Sequence, residues 1–182
     1  MPYSPLDNLP LPLHAKASNI RLACFDVDGT LTDGRLYYDH AGNESKAFYV
    51  QDGLGLKLLQ QHGIHPVLIT ARNSLSAQKR GADLGIDTQI AVGDKLASVR
   101  TLCEQHGISL EQVAFLGDDL PDLAPLCAVG LAVAPADAHP WIAERVHWQT
   151  RSAGGRGAAR ELCDALLAAQ GKLDAVLARY SR

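Results

Sequence analysis

The chain has 182 residues, 47% of them hydrophobic, and a formal net charge of −3. This length and composition suit one globular domain with a sizeable core, and the slight acidic excess argues against a nucleic-acid partner. The four cysteines form no CxxC pair or Cys/His cluster, which argues against a disulfide scaffold or a structural zinc site.

The first 18 residues contain four prolines and no continuous apolar core. We therefore expect an irregular tail over 1–18, not a signal peptide, followed by a single domain over 19–182. No apolar run is long enough to span a bilayer. The sequence predicts a cytoplasmic protein with no membrane partner.

Short apolar runs alternate with helical patterns along the rest of the chain. Five runs are typical of buried parallel strands: 20–25, 65–70, 88–92, 113–117 and 129–133. Apolar residues at helical spacing predict helices over 55–62, 74–84 and 94–106, each ending at a glycine. This alternation predicts an α/β domain with a doubly wound parallel sheet.

The segment 34–53 departs from the alternation. Two β-prone pieces, LYY and KAFYV, flank the turn residues AGNE and predict a hairpin. A hairpin this rich in aromatic residues needs a cover, and we expect a partner subunit to supply it. At the other end, 151–182 is predicted to form a loop and then an amphipathic helix with one apolar face over 162–180.

Polar residues follow four of the predicted strands. In chain order these are Asp26 and Asp28, Thr70 and Arg72, Asp94 and Lys95, and Asp118 and Asp119. Ligands of open parallel sheets bind outside the carboxyl ends of the strands, which share one edge. We therefore expect the four groups to converge on a single site.

The residue types at these positions indicate the ligand. Asp26, Asp28 and Asp118 offer hard oxygen donors without His or Cys, which favours Mg²⁺ over zinc. Thr70 and Lys95 supply a hydroxyl and an ammonium that suit a phosphate. Together these groups favour phosphoryl transfer through an aspartyl-phosphate.

Four motifs in order carry a family resemblance. DxDGT at 26–30, the threonine of LIT at position 70, Lys95 and GDD at 117–119 resemble the motifs of the haloacid-dehalogenase phosphatases. A closer resemblance, in FDVDGTLTDG, KAFYVQDGLGLKLL, ITAR, GDDLPDL and TRSAGGRGAARELCD, is to the phosphatases of 3-deoxy-D-manno-octulosonate (KDO) 8-phosphate. It implies a capless fold with a hairpin inserted after the first strand, a homotetramer, and a phosphorylated sugar acid of lipopolysaccharide biosynthesis as substrate.

The resemblance also implies roles. Asp26 would be the nucleophile, and Asp28 would protonate the leaving sugar oxygen, then activate water, while its backbone carbonyl binds Mg²⁺. Asp118 would complete the metal ligands. Asp119 or Asp122 would support it, Thr70 and Lys95 would hold the phosphoryl oxygens, and the sugar-binding positions would be Asp28, Tyr49, Val50, Gln51, Asp52, Gly53, Lys57, Arg72, Arg80 and Lys95. Arg156, in the GGRGA stretch at 154–158, would reach a neighbouring subunit's site on a mobile tail, unless that stretch is only a glycine hinge.

Two alternatives to the KDO 8-phosphate hypothesis remain open. A sister phosphatase acting on a nine-carbon sugar acid 9-phosphate, such as a sialic acid or a deoxy-nonulosonate, would need the same four motifs. A non-catalytic module that binds a phosphosugar is the other. The intact pair Asp26 and Asp28 argues against that module, because Mg²⁺ uses only the backbone carbonyl of the second aspartate.

Overall fold

The computed structural model describes residues 4–181 and contains eight strands and eight α-helices in that part of the chain. The strands are β1 Leu22–Phe25, β2 Tyr37–Tyr38, β3 Glu44–Ser45, β4 His65–Ile69, β5 Asp87–Gln89, β6 Val113–Leu116, β7 Leu131–Ala134 and β8 Trp148–Gln149. The helices are α1 His14–Ser18, α2 Val50–Gln61, α3 Leu75–Leu84, α4 Lys95–His106, α5 Leu123–Ala128, α6 Pro140–Ala143, α7 Ala158–Ala169 and α8 Leu173–Tyr180.

Six of the strands form one parallel sheet in the order β5-β4-β1-β6-β7-β8. From β1 the chain first builds outwards through β4 and β5, then returns to the other side of β1 with β6. The connection after β1 therefore runs towards one end of the sheet, and the connection after β6 runs towards the other end. The carboxyl ends of these two neighbouring strands form the topological switch point, where open α/β sheets bind ligands. The predicted doubly wound α/β fold is confirmed.

The central strands β1, β6 and β7 are buried on both faces of the sheet. Ala23 and Phe25 of β1 point into the core beneath α2 and α7, whereas Leu22 and Cys24 point into the core on the side of α4 and α5. All four side chains are fully buried, which explains why the run is apolar without alternation. The packing on two sides fixes the end of β1, and with it the residues that follow.

The predicted hairpin is present but shorter than its sequence pattern suggested. β2 and β3 pair antiparallel as a separate two-stranded sheet around a turn that contains Gly42 at a φ of 82°. KAFYV does not form the second strand. Instead α2 begins at Val50, because the apolar residues after it are spaced to bury Leu56 and Leu59 on one helix face.

Both chain ends differ from the prediction. Residues 5–18 are not irregular: prolines occupy the first turn of two 3₁₀ helices, Pro5–Asn8 and Leu11–Leu13, where a missing N–H is tolerated. α1 follows, and this segment packs on α7. The single C-terminal helix expected is two helices, because Gly171 adopts a left-handed φ of 66° between α7 and α8.

Within residues 4–181, the helices are all too short or too polar to cross a membrane.

Candidate active site

The carboxyl ends of β1, β4 and β6 open into one cavity of about 300 Å³. Eight of the predicted site residues line it: Asp26, Asp28, Thr70, Arg72, Lys95, Asp118, Asp119 and Asp122. Gly34, Leu36, Ala71 and Pro121 complete the lining. The structure thus brings together side chains from separate segments at the edge where the strand pattern predicted them.

A buried ion network holds the first aspartate. The Asp26 amide donates to the carbonyl of Leu116 at 2.9 Å, which fastens the end of β1 to β6. The Lys95 ammonium contacts the Asp26 carboxylate and donates to Asp122 Oδ1 at 2.6 Å. Because only 4% of Lys95 and 6% of Asp26 are exposed, this pairing compensates charges that would otherwise be costly to bury.

Asp122 organises the loop after β6. Its Oδ2 accepts from the amides of Asp118 at 3.1 Å and Asp119 at 3.4 Å, while its Oδ1 faces Lys95. Both oxygens therefore have partners. This places Asp122 behind the Asp118 carboxylate as a support, whereas the Asp119 side chain caps the following turn through the amide of Leu120.

Three carboxylates crowd together in a way that suits a divalent cation. Asp26, Asp118 and Asp122 each offer an oxygen within 4.8 Å of the others. Burial and the neighbouring Asp122 charge raise the pKa of Asp118 to about 7, and the same two causes raise the pKa of Asp26. A bound Mg²⁺ would offset this repulsion, and an all-oxygen donor set is the one it prefers.

Gly29 allows Asp118 to approach the loop after β1. Its φ of 90° lies in the left-handed region, and a β-carbon there would overlap the Asp118 carboxylate. The Asp28 carboxylate, by contrast, lies outside the group of three. The ligand set predicted from sequence, Asp26, Asp28 and Asp118, therefore agrees with this geometry only if Asp28 contributes its backbone carbonyl.

The Asp28 carboxylate faces the hairpin. Its Oδ1 contacts the Lys46 ammonium, and its Oδ2 accepts from the Thr70 hydroxyl at 3.4 Å and lies 4.0 Å from Arg72 Nε. Val27, between the two aspartates, is fully buried and points away from the cavity. The one-residue spacing therefore brings two carboxylates to one cavity in two different electrostatic surroundings.

Sequence reasoning missed Glu44 and Lys46. The Glu44 carboxylate contacts Lys46 at 2.9 Å and also contacts the Arg72 guanidinium, so it links the hairpin to the loop after β4. The available signal was an acid and a base two residues apart, since such residues share one face of an extended segment. KAFYV was instead interpreted as an apolar strand, and its first residue received no role.

Several predicted substrate positions lie outside the cavity within one chain. Tyr49, Val50, Gln51, Lys57 and Arg156 are not among its lining residues. The first four precede or belong to α2, and Arg156 is exposed on the loop before α7. Within one chain these residues therefore do not form part of the cavity wall.

Asp52, Gly53 and Arg80 form a separate buried contact. Asp52 is only 2% exposed, burial raises its pKa, and its Oδ1 accepts from the amide of Arg160 at 2.8 Å near the start of α7. Gly53 lies against Arg80, whose guanidinium sits 5.7 Å from the centre of the Phe48 ring. In this chain Asp52 therefore fixes α7 to α2 and does not point into the cavity.

The loop before α7 packs on the loop after β1. The Gly155 amide donates to the Thr30 carbonyl at 2.9 Å, and the Gly154 amide donates to Asp137 Oδ1 at 2.8 Å. A β-carbon at Gly154 would overlap the carbonyl oxygen of Gly29. In the structure the GGRGA stretch is thus a support for the chain's own nucleophile loop and not an extended tail.

Comparison with known proteins gives the family. A model of the haloacid dehalogenase-like hydrolases matches residues 91–162. The 3-deoxy-D-manno-octulosonate 8-phosphate phosphatase KdsC of Escherichia coli K12 is 49% identical over 162 residues, which cover 88% of this chain and 86% of KdsC.

Solved structures agree with that match. A hypothetical protein from Xanthomonas campestris is 68% identical and superposes with a TM-score of 0.98 over 100% of both chains. The KDO 8-phosphate phosphatase of Moraxella catarrhalis, solved with magnesium, phosphate and KDO, is 39% identical, with a TM-score of 0.90 over 93% of this chain and 98% of that one. The chain therefore belongs to the KdsC family of KDO 8-phosphate phosphatases, within the haloacid dehalogenase-like hydrolases.

Proposed function

We propose that this chain is a Mg²⁺-dependent phosphatase that converts KDO 8-phosphate to KDO and inorganic phosphate in lipopolysaccharide biosynthesis. The observation that carries this proposal is the placement of Asp26 and Asp28 in one cavity with different partners. A nucleophile and an acid–base group need such different surroundings. A module that only binds phosphosugars would need no second carboxylate there.

The first half of the reaction transfers the phosphoryl group to the enzyme. A carboxylate oxygen of Asp26 attacks phosphorus, the bond from phosphorus to the sugar oxygen breaks, and Asp28 gives its proton to that oxygen. The Lys95 ammonium and the Thr70 hydroxyl offset negative charge on the phosphoryl oxygens. Mg²⁺, held by Asp26, Asp118 and the Asp28 carbonyl, would supply further charge neutralisation.

The second half returns the enzyme to its starting state. Asp28, now ionised, removes a proton from water as the water oxygen attacks the phosphorus of the aspartyl-phosphate. The bond from phosphorus to Asp26 breaks, and inorganic phosphate is released. Asp28 lines the same cavity as Asp26 but contacts Thr70 and Lys46 instead of Lys95, which suits both proton transfers.

We further propose that the enzyme is a cytoplasmic homotetramer in which a neighbouring subunit contributes to substrate binding. The exposed hairpin supports this: Leu36, Tyr37 and Tyr38 are 46%, 42% and 58% exposed, and contiguous apolar surface of this kind marks interaction sites. The exposed residues Tyr49, Val50, Gln51 and Arg156, with the partly buried Lys57 and Arg80, would then bind the sugar acid of an adjacent subunit. The buried Asp52 and Gly53 would contribute by holding α2 in place.

A phosphate-release panel tests the proposed reaction. Purified protein is assayed with KDO 8-phosphate and with nine-carbon sugar acid 9-phosphates, in Mg²⁺ and in EDTA. We expect the highest kcat/KM with the eight-carbon substrate, and no turnover in EDTA until Mg²⁺ is restored. Preference for a nine-carbon substrate would assign the sister activity, and inactivity on every substrate would favour the binding module.

A further inference from the structure

Four charged side chains of alternating sign connect the hairpin with the cavity. Lys46 contacts Asp28 Oδ1 and lies 2.9 Å from Glu44 Oε1. The second Glu44 oxygen contacts the Arg72 guanidinium, whose Nε lies 4.0 Å from Asp28 Oδ2. The two carboxylates and the two cations thus close a ring in which each group has two partners of opposite charge.

Lys46 is the buried member of this ring. Its side chain is 1% exposed, and it is not among the residues that line the cavity. A buried ammonium is stable only where carboxylates compensate for the lost hydration. Asp28 and Glu44 therefore hold the Lys46 ammonium in place, and Lys46 reaches the Asp26 cavity through its contact with Asp28.

The Asp28 carboxylate depends on such partners for its orientation. Proton transfer requires the donor oxygen within about 2.6–3.2 Å of the leaving oxygen, and a carboxylate rotates readily about its last side-chain bond. Thr70 holds one Asp28 oxygen from the sheet, at 3.4 Å, and Lys46 holds the other from the hairpin. With only one of these contacts, the carboxylate could turn away from the substrate.

We propose that Lys46 is a positioning residue that orients Asp28 for proton transfer, and that Glu44 in the same way orients Arg72 towards the sugar acid. Strand β3 and the residue after it would then orient both the acid–base group and a substrate-binding cation. This inference rests on the proposed function, because it assigns a step of that reaction to Asp28. It adds two residues to the site that strand ends alone do not supply.

The test compares two leaving groups in Lys46→Met. The ratio kcat/KM reports the steps up to departure of the leaving group, and a sugar alkoxide needs a proton from Asp28 where p-nitrophenolate does not. We expect kcat/KM to fall on the order of 100-fold for KDO 8-phosphate, but less than about fivefold for p-nitrophenyl phosphate. Lys46→Arg, which keeps the charge, should recover part of the loss.

Two further variants separate the contributions of the ring. Arg100→Met removes an exposed cation of α4 outside the cavity. It should leave kcat/KM unchanged for both KDO 8-phosphate and p-nitrophenyl phosphate. Glu44→Gln should raise KM for KDO 8-phosphate about 10-fold. It should not produce the selective loss with the sugar leaving group that is expected of Lys46→Met, because Lys46 and Asp28 remain paired. Thermal melting of each variant reports whether it is folded.

The outcomes distinguish this inference from the proposed function. A folded Lys46→Met variant with equal losses on both substrates, or with none, would overturn the positioning role. A wild-type protein that releases no phosphate from KDO 8-phosphate would instead refute the proposed function.

Discussion

The edge of the sheet and the hairpin form two sides of the same cavity by different means. At the sheet edge, Lys95 and Asp122 are 4% and 1% exposed, and the fully buried strands β1 and β6 end beside them. In the hairpin, Tyr37 and Tyr38 are 42% and 58% exposed, and each strand has two residues. The sheet edge is held by packing together with buried ion pairs, whereas the hairpin is held mainly by contacts between charged groups.

This difference separates the buried nucleophile and its ion pairs from the exposed tyrosines of the hairpin. A single chain can bury Asp26, Thr70 and Lys95, because parallel strands converge there with a core on both faces. A two-stranded hairpin is marginally stable by itself in water, and here Glu44 and Lys46 connect it to the rest of the site. Four predictions test this division, from the largest expected effect to the smallest.

Asp26→Asn should abolish turnover. The amide cannot act as the nucleophile, so we expect kcat to fall by at least about 10⁴-fold, measured as phosphate release with Mg²⁺ present. The matched control is Asp33→Asn, which changes a partly exposed carboxylate that lies before the hairpin and accepts a hydrogen bond from the Tyr37 hydroxyl. Near-normal turnover in Asp26→Asn would contradict a covalent mechanism centred on the sheet edge.

Gly154→Ala should displace the loop after β1, which carries the nucleophile at the sheet edge. The new β-carbon would overlap the Gly29 carbonyl, so the nucleophile loop must shift. We expect the free energy of unfolding, measured by denaturant titration, to fall by about 1–3 kcal/mol. We expect kcat, measured by phosphate release, to fall on the order of 100-fold. Gly93→Ala is the control, because a β-carbon there meets nothing within 4 Å. If both variants lost stability and activity equally, Gly154 would have no supporting role for the loop after β1.

Mg²⁺ should stabilise the protein more as the pH rises. Without metal, burial raises the pKa of Asp118 from 3.8 to about 7, so the native state holds protons that the unfolded chain has released. The free energy of unfolding of the metal-free protein should therefore fall as pH increases through this interval. Melting temperatures with Mg²⁺ and with EDTA should diverge from pH 5 to pH 8; a constant difference would refute metal binding by this cluster.

Tyr38→Phe should have the smallest effect, and only on recognition. The lost hydroxyl lies 3.4 Å from Arg72 and 3.5 Å from Glu44, at the exposed side of the hairpin. We expect KM for KDO 8-phosphate to rise about threefold with kcat unchanged, in steady-state kinetics beside Tyr180→Phe, which changes an exposed tyrosine of α8. A lower kcat would show that the Tyr38 hydroxyl takes part in the chemistry and not only in recognition.

The sequence predicted the sheet edge well because two simple rules determine it. Buried parallel strands are apolar without alternation, and their carboxyl ends meet, which was enough to bring Asp26, Thr70, Lys95 and Asp118 together. Family resemblance added the separate roles of the two aspartates, which remain predictions. Neither rule gives the direction of a side chain, so the turn of the Asp28 carboxylate towards the hairpin was not predicted.

Other features depend on contacts between distant segments. The partnership of Lys46 with Asp28 follows from how the hairpin folds back, and the short pattern LYY–AGNE–KAFYV does not determine that geometry. The break at Gly171 was missed because apolar residues continue at helical spacing on both sides of it. Likewise, the packing of residues 5–18 on α7 depends on a helix formed by the other end of the chain.

The contact between Gly154–Gly155 and the loop after β1 has a consequence for synthesis of the protein. The ribosome makes the nucleophile early in the chain, but it makes the two glycines that support this loop near the end. A nascent or prematurely terminated chain can therefore contain both aspartates and most of the sheet while the loop that carries them lacks its contact with Gly154 and Gly155. Activity should appear only when the C-terminal portion has emerged and closed on the first strand.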